Sequence, residues 1–446
     1  MQTVFPPNNA VLALLGAPKQ TEEALRLTRW CIRLSCDSGT LLYNTLTGEL
    51  LLLPAAEDTD QNRAVLLQKH FLVPESLDEF ARARDFKRIL CLMQPKTAVD
   101  CFLIYPTTEC NARCYYCYEF GRPKMTMSDR TADETADYIL RVSGDSSVNI
   151  TWFGGEPLFN SRAIDRITDR LRRVGKPFRS SMISNGYLFD ADLVETAVQS
   201  WKLHEIQVPL DGTEAVYNRA KAFQYRDDPS PFRRVMRNIS LLLDAGVTVS
   251  VRLNLGAENY EDIKSLIGGL DAAFRGRGNL RVYVGMLRDF GTAPQNSVSW
   301  EERLRRWVEL SAALSESGFR KRFTLKKKPN VFCCMADSDN AVTILPDGSL
   351  GRCEHEDLDE SVGNIRDGVL DPARVAAWKE NVEVADCREC ALFPRCRRLK
   401  KCAWTKGTCE PLDRALFFRR LEDEILYTYE TGGRECQSED TDDAVC

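Results

Sequence analysis

The sequence predicts an α/β protein in three successive parts, and three observations carry that reading. Across residues 98–320, short apolar segments alternate with helical ones, the pattern of a parallel sheet built from right-handed strand–helix units. Six such units make an open, partial (β/α)6 barrel of the TIM-like kind. Residues 1–97 mix short strands and helices in a small α+β unit, and residues 321–446 lose regular periodicity and gain cysteines. A chain of 446 residues is long enough for such a division and for a substantial core.

The elements follow in order. Residues 28–35 alternate as a strand does, and 41–43 and 49–53 read as two strands around a turn at Thr47-Gly48. Residues 58–70 read as a helix, and Ser76 is placed to cap another, with Leu77, Phe80 and Ala81 on its apolar face. The barrel strands fall at 102–107, 149–153, 180–184, 206–210, 248–254 and 280–284. Helical periodicity fills 129–143, 161–175, 190–201, 231–245 and 259–274, with Ser128 as the cap of the first. Such a C-terminal region folds around metals, and its acidic end, 435–446, is polar and mobile in this reading.

Composition narrows the function. Hydrophobic residues make up 43% and charged residues 28%, as in ordinary globular proteins. The net charge of −5 argues against general nucleic-acid binding, which needs a dominant basic surface. Lys326-Lys327-Lys328 and Arg397-Arg398 read as solvated faces. The apolar stretch 11–17 is too short for a membrane span and follows no basic region, so a cytoplasmic location is expected, with no membrane partner. Seventeen cysteines, an odd number in a long chain, do not suggest a disulfide framework. With only three histidines, none near another, the implied metal sites are built from thiolates: iron–sulfur clusters or structural zinc. Cys31, Cys36, Cys91 and Cys101 stand apart and read as packed thiols.

The first strand runs into Cys110-x3-Cys114-x2-Cys117, with Tyr116 before the last cysteine. Three thiolates on one loop can bind three irons of a cubane and leave the fourth open to chemistry. At the end of the second strand stands Trp152-Phe153-Gly154-Gly155-Glu156-Pro157, on the edge where parallel barrels bind ligands. Its glycines allow close approach of a ligand to the backbone, and Glu156 can accept from an ammonium group.

Together these residues resemble the radical S-adenosylmethionine (SAM) superfamily over about residues 98–300. The resemblance implies a [4Fe–4S] cluster on Cys110, Cys114 and Cys117 whose open iron chelates SAM, and reductive cleavage of SAM to a 5′-deoxyadenosyl radical that abstracts a substrate hydrogen. It places Tyr116 near the adenine and Glu156 on the methionine amino group beside Gly154 and Gly155. Ser184 and Asn185, in Ser184-Asn185-Gly186, fall on the ribose or carboxylate. Arg252, in Val251-Arg252-Leu253-Asn254, would pair the carboxylate, where a bidentate contact favours arginine. Asp211, in Asp211-Gly212, faces the same edge as a candidate catalytic contact to substrate or ribose, or as a plain turn.

The C-terminal cysteines run Cys334, thirteen residues, Gly348-x4-Cys353, then Cys387-x2-Cys390-x5-Cys396, Cys402 and Cys409. This resembles the SPASM domain of peptide-modifying radical enzymes, which holds two auxiliary [4Fe–4S] clusters. The resemblance assigns Cys334, Cys353 and Cys402 to the first and Cys387, Cys390, Cys396 and Cys409 to the second. Cys402 follows Cys396 after five residues instead of three, and an extra ligand carried by some relatives is missing near Asn340. Either Cys333 closes the first auxiliary cluster or one of its irons is open.

The N-terminal run Leu41-Leu42-Tyr43-Asn44-Thr45-Leu46-Thr47-Gly48-Glu49-Leu50 resembles the winged-helix peptide-recognition element of natural-product maturases. It implies a precursor peptide gripped through its leader by strand addition, and the family implies a flavodoxin or ferredoxin electron donor. The function so implied is maturation of a ribosomally made peptide by an intramolecular cross-link, a thioether in preference to a carbon–carbon link. Formylglycine formation in sulfatases and a non-catalytic peptide-binding scaffold are the alternatives.

Overall fold

The computed structural model describes residues 1–18, 22–54, 62–92, 98–225, 227–287, 298–320, 322–326, 334–355, 360–402 and 407–433. Cys333, Lys327, Lys328, residues 58–61 and the acidic end 435–446 lie outside them. The chain forms two compact units. One joins residues 1–95, 322–334 and 380–446, and the other joins 96–321 and 335–379. The cysteine-rich segment is thus divided between the two.

The first unit begins with β1 (Gln2–Phe5), α1 (Asn9–Leu15), β2 (Leu25–Leu27), β3 (Cys31–Cys36), β4 (Gly39–Asn44), β5 (Leu50–Pro54), α2 (Arg63–Gln68), β6 (Leu72–Pro74) and α3 (Glu79–Leu92). Strands β1-β5-β4-β3 form an antiparallel sheet, and β2 pairs with β6 apart from it. The hairpin expected around Thr47-Gly48 is β4–β5, with Leu41 opposite Leu52 and Tyr43 opposite Leu50. Gly48 adopts φ +75°, a conformation glycine reaches without steric cost.

Two local expectations are corrected here. The strand read over 28–35 is interrupted by a turn closed by Cys31 N donating to Thr28 O (3.1 Å). The helix read from Ser76 starts at Glu79, because Asp78 Oδ1 caps Ala81 N (3.0 Å) while the Ser76 hydroxyl donates to Glu23 (2.7 Å).

The second unit holds β7 (Cys101–Thr107), α4 (Asp129–Ser143), β8 (Val148–Gly154), α5 (Ser161–Arg173), β9 (Phe178–Ile183), α6 (Ala191–Gln199), β10 (Leu203–Leu210), α7 (Glu214–Lys221), α8 (Pro231–Asp244), β11 (Thr248–Leu255), α9 (Tyr260–Phe274), β12 (Leu280–Met286) and α10 (Trp300–Glu316). Strands β7 to β12 are parallel, each beside its predecessor, in the open order β12-β11-β10-β9-β8-β7. Ser128 caps α4 by accepting from Thr131 N (3.1 Å). Along α4, Asp129, Asp133 and Asp137 face Arg162, Arg166 and Arg170 of α5, one exposed pair per turn between the two helices.

Past α10, β13 (Ala341–Ile344) adds to β7 in parallel, and β14 (Ser349–Gly351), β15 (Gly363–Asn364) and β16 (Gly368–Val369) continue antiparallel, followed by α11 (Pro372–Trp378). Part of the segment read as irregular therefore extends the barrel sheet. In the first unit, α12 (Pro411–Glu430) is a further correction: a twenty-residue helix. It buries only Leu412, Leu416, Leu421, Ile425 and Thr428, and its many charged residues blur the periodicity. Among the described residues no helix is long and apolar enough to cross a membrane.

Candidate active site

The carboxyl ends of β7 to β11 bring the expected site residues of the barrel to one edge. The loop after β7 carries the three thiols. Cys117 N donates to Cys114 O (3.1 Å), and Ala112 N donates to Cys110 Sγ (3.4 Å). Cys110 lies in the electrostatic field of Glu156 and of the other two sulfurs; burial pushes its thiol up to about 12, and burial pushes Cys117 to about 11. An all-thiol donor set of this kind suits iron–sulfur ligation. Among the described residues no three Cys, His, Asp or Glu side chains are grouped so as to hold a single metal ion. A cubane does not require such convergence, since each thiolate binds its own iron.

Gly154 and Gly155 lie against the cysteine loop. A Cβ on Gly154 would stand 2.3 Å from Thr107 O, and one on Gly155 2.4 Å from Glu109 O. The close approach they permit is that of the cysteine loop's own backbone. Gly155 N donates to Thr107 O (3.2 Å) and Glu156 N to Glu109 O (2.8 Å), so the two loops are laced together.

Glu156 is fully buried. Its carboxylate accepts from Ser184 Oγ (2.8 Å), Asn185 N (2.9 Å) and Leu158 N (3.3 Å). Burial outweighs these bonds and raises its pKa to about 7. Ser184 and Asn185 thus direct these donors to Glu156, while Asn185 Nδ2 donates to Asn111 Oδ1 (2.7 Å) beside Cys110.

Asp211 is no plain turn residue. It is buried, 3.1 Å from Lys221 Nζ, and it accepts from Tyr116 Oη (2.6 Å) and Asn254 Nδ2 (3.0 Å). Tyr116 Oη in turn accepts from Lys221 Nζ (2.7 Å) and Asn254 Nδ2 (3.1 Å). Burial opposes the Lys221 charge, but Asp211 and the Cys114 sulfur hold its ammonium above the usual lysine range. Burial, then Asp211, keeps the Tyr116 phenol protonated far above its usual range.

Lys221 and Asn254 were not singled out from sequence. Asn254 follows Arg252 by two on β11, the spacing of one sheet face, which is a usable signal. Lys221 ends α7, a helix the sequence reading missed. On β11, Arg252 lies over Gly285, where a Cβ would meet its Nε at 2.4 Å. Burial, then the charges of Arg122 and Arg252, lowers His355 to about 3, so that imidazole is neutral. Glu119, two residues past Cys117, is pushed to about 7 by burial, only partly offset by Arg122.

The first unit holds a second thiol group. Cys390 lies in the field of Cys387 and Cys409, and Cys396 in that of Cys390 and Cys409, so these four sulfurs share one neighbourhood. Cys334 and Cys402 belong to this unit and Cys353 to the other. Cys353 Sγ accepts from His355 N (3.4 Å). Cys31 and Cys36 are half-buried on β3, and burial pushes the Cys31 thiol to about 12.

Comparison with known proteins agrees with this geometry. Residues 104–268 match the model of the radical SAM superfamily, an enzyme family, and this stretch is a radical SAM domain. An uncharacterized protein of Methanocaldococcus jannaschii is 38% identical over 63 residues, 14% of this chain and 21% of that one. The Fe-coproporphyrin III synthase of Methanosarcina barkeri is 22% identical over 165 residues, 37% of this chain and 39% of that one. The chain spans well under half the length of these curated relatives. Among solved structures, anSMEcpe with bound AdoMet superposes with a TM-score of 0.55 at 15% identity, covering 74% of this chain and 98% of that one. Streptococcus suis SuiB bound to S-adenosylmethionine gives 0.52 at 12% identity, covering 83% and 94%. SuiB bound to its precursor peptide SuiA gives 0.52, covering 84% and 95%. These likenesses show a shared fold.

Proposed function

We propose that this chain is a radical SAM maturase that forms an intramolecular cross-link, a thioether in preference to a carbon–carbon link, in a ribosomally made peptide. The observation that carries it is the three-thiol loop laced to Gly154-Gly155-Glu156, in a chain that also gathers Cys387, Cys390, Cys396 and Cys409. Cys110, Cys114 and Cys117 would hold a [4Fe–4S] cluster, which when reduced would supply the electron that cleaves the sulfonium of bound SAM.

The chain's own residues orient that reaction. Ser184 and Asn185 aim the Glu156 carboxylate, which serves the methionine amino group. Arg252, cradled by Gly285, serves the methionine carboxylate. Tyr116, Asp211, Lys221 and Asn254 form a rigid polar wall on the adenosine side, where a fixed network loses little entropy on binding.

Cys387, Cys390, Cys396 and Cys409 would hold one auxiliary cluster. Cys334, Cys353 and Cys402 would serve another, with Cys333 as a competing fourth ligand. A set of three protein thiolates leaves room for a substrate thiolate, the soft partner such iron prefers. The leader would add to β3, which pairs on one side only among the described strands. A flavodoxin or ferredoxin would supply electrons.

The test is co-expression with a short precursor encoded beside the gene, read by mass spectrometry. Loss of two hydrogens in a cross-linked peptide is the expected result. A formylglycine product assigns the chain to sulfatase-type maturation instead, and an unchanged peptide with no SAM cleavage assigns it to a binding scaffold.

A further inference from the structure

The cysteine loop 387–396 is held by residues some three hundred positions earlier in the chain. Arg29 donates to Arg388 O (2.8 Å) and pairs with Glu389 (2.7 Å). Thr45 Oγ1, on the β4–β5 turn, donates to Ala391 O (2.6 Å). Lys87 Nζ, from α3, donates to Phe393 O (3.1 Å) and to Cys396 O, and stands 4.2 Å from the centre of the Phe393 ring. Phe393 fills a pocket of Trp30, Phe80 and Ala83, with Cys387 against it. The other flank, Leu392 with Cys390 and Cys396, packs on Ile32, Leu41, Tyr43 and Leu50.

We infer that the N-terminal hairpin and helix α3 form the wall of the four-thiol site, and that Lys87 is its positioning residue. Lys87 fixes the loop carbonyls and sets a cation against the metal group that Cys387, Cys390, Cys396 and Cys409 hold. Its electrostatic neighbours include Cys396 and Cys387. A nearby cation favours the more negative, reduced state of a cluster and so raises its potential. Resemblance to a recognition element leaves this role unassigned: the region builds a metal site whatever else it binds. The inference rests on the reading of these four thiols as cluster ligands.

The experiment uses the full chain, anaerobically reconstituted with iron and sulfide. Cys110, Cys114 and Cys117 are replaced by Ala so that only the auxiliary signals remain. In this background the double variant Cys390→Ala with Cys396→Ala, which leaves only two thiolates at the site, should remove about four irons per chain, the content of one cubane. Unchanged iron would overturn the cluster reading, and this inference with it. Given that loss, Lys87→Met should either lose the same irons or shift the midpoint potential of that cluster to more negative values in an electron-paramagnetic-resonance titration. Lys87→Arg, which keeps the donors and the charge, should restore iron content and potential. Lys87→Met with unaltered iron, potential and g-values would overturn the positioning role while leaving the cluster reading intact. If Lys87→Met yields no soluble protein, Thr45→Val decides: a displaced signal of that cluster supports the wall, and an unchanged one overturns it.

Discussion

The two thiol loops of this molecule are held by opposite means. Cys110 to Cys117 are positioned by backbone: the loop leaves β7 and is laced by two main-chain bonds to the adjoining Gly154-Gly155-Glu156 turn. Cys387 to Cys396 are positioned by side chains, those of Arg29, Thr45 and Lys87, and by an aromatic pocket built from a distant part of the sequence. The first site is a product of local strand–turn geometry. The second depends on contacts across more than 300 residues. A change in the one should therefore leave the other standing.

Substitutions can break that contrast, beginning with the largest expected effect. Lys221→Met strands the Asp211 carboxylate inside the barrel and should cost about 3–5 kcal/mol in the barrel's unfolding transition, since removal of one partner leaves a buried charge. Asp211→Asn in the same chain should recover part of the loss, read as a coupling energy by denaturation of the single and double variants.

Phe393→Ala empties the pocket of Trp30 and Phe80 and should cost about 3 kcal/mol in the other unit. It should also lower the iron of the C-terminal site while SAM cleavage by the barrel persists. Loss of both activities together would break the comparison.

Gly155→Ala forces a methyl group to 2.4 Å from Glu109 O. The overlap should cost about 1–3 kcal/mol and, because it shifts the Cys110 backbone, lower barrel-cluster iron, measured with the C-terminal thiols intact. Ser128→Ala, which removes only the cap of α4, should lower the melting stability by only about 1 kcal/mol and leave iron content as it was.

The same contrast explains what could be read from sequence. Strands β7 to β12 and helices α4, α5, α6, α8 and α9 were legible because each buries a regular apolar stripe between turn residues. The three-thiol loop and the Gly-Gly-Glu-Pro turn were legible because each is contiguous. Lys221 was not, since its partners Asp211 and Tyr116 meet it only when α7 closes against the sheet. Helix α12 was hidden by charges on most of its faces. The wall formed by Thr45, Lys87 and Trp30 leaves no mark in sequence, since a lysine or threonine that binds a distant carbonyl looks like any surface residue. The glycines of the barrel turn read from sequence as sites of close approach, and the backbone of the neighbouring cysteine loop is packed against them.

The account's central claim is that Cys110, Cys114 and Cys117 form a reactive iron–sulfur site for SAM. The direct measurement is 5′-deoxyadenosine released when anaerobically reconstituted, dithionite-reduced protein meets SAM, compared between the wild type and Cys114→Ala. The account predicts deoxyadenosine from the wild type and none above background from the variant, with both proteins folded by circular dichroism. Equal release from both, or none from a fully iron-loaded wild type, would contradict it.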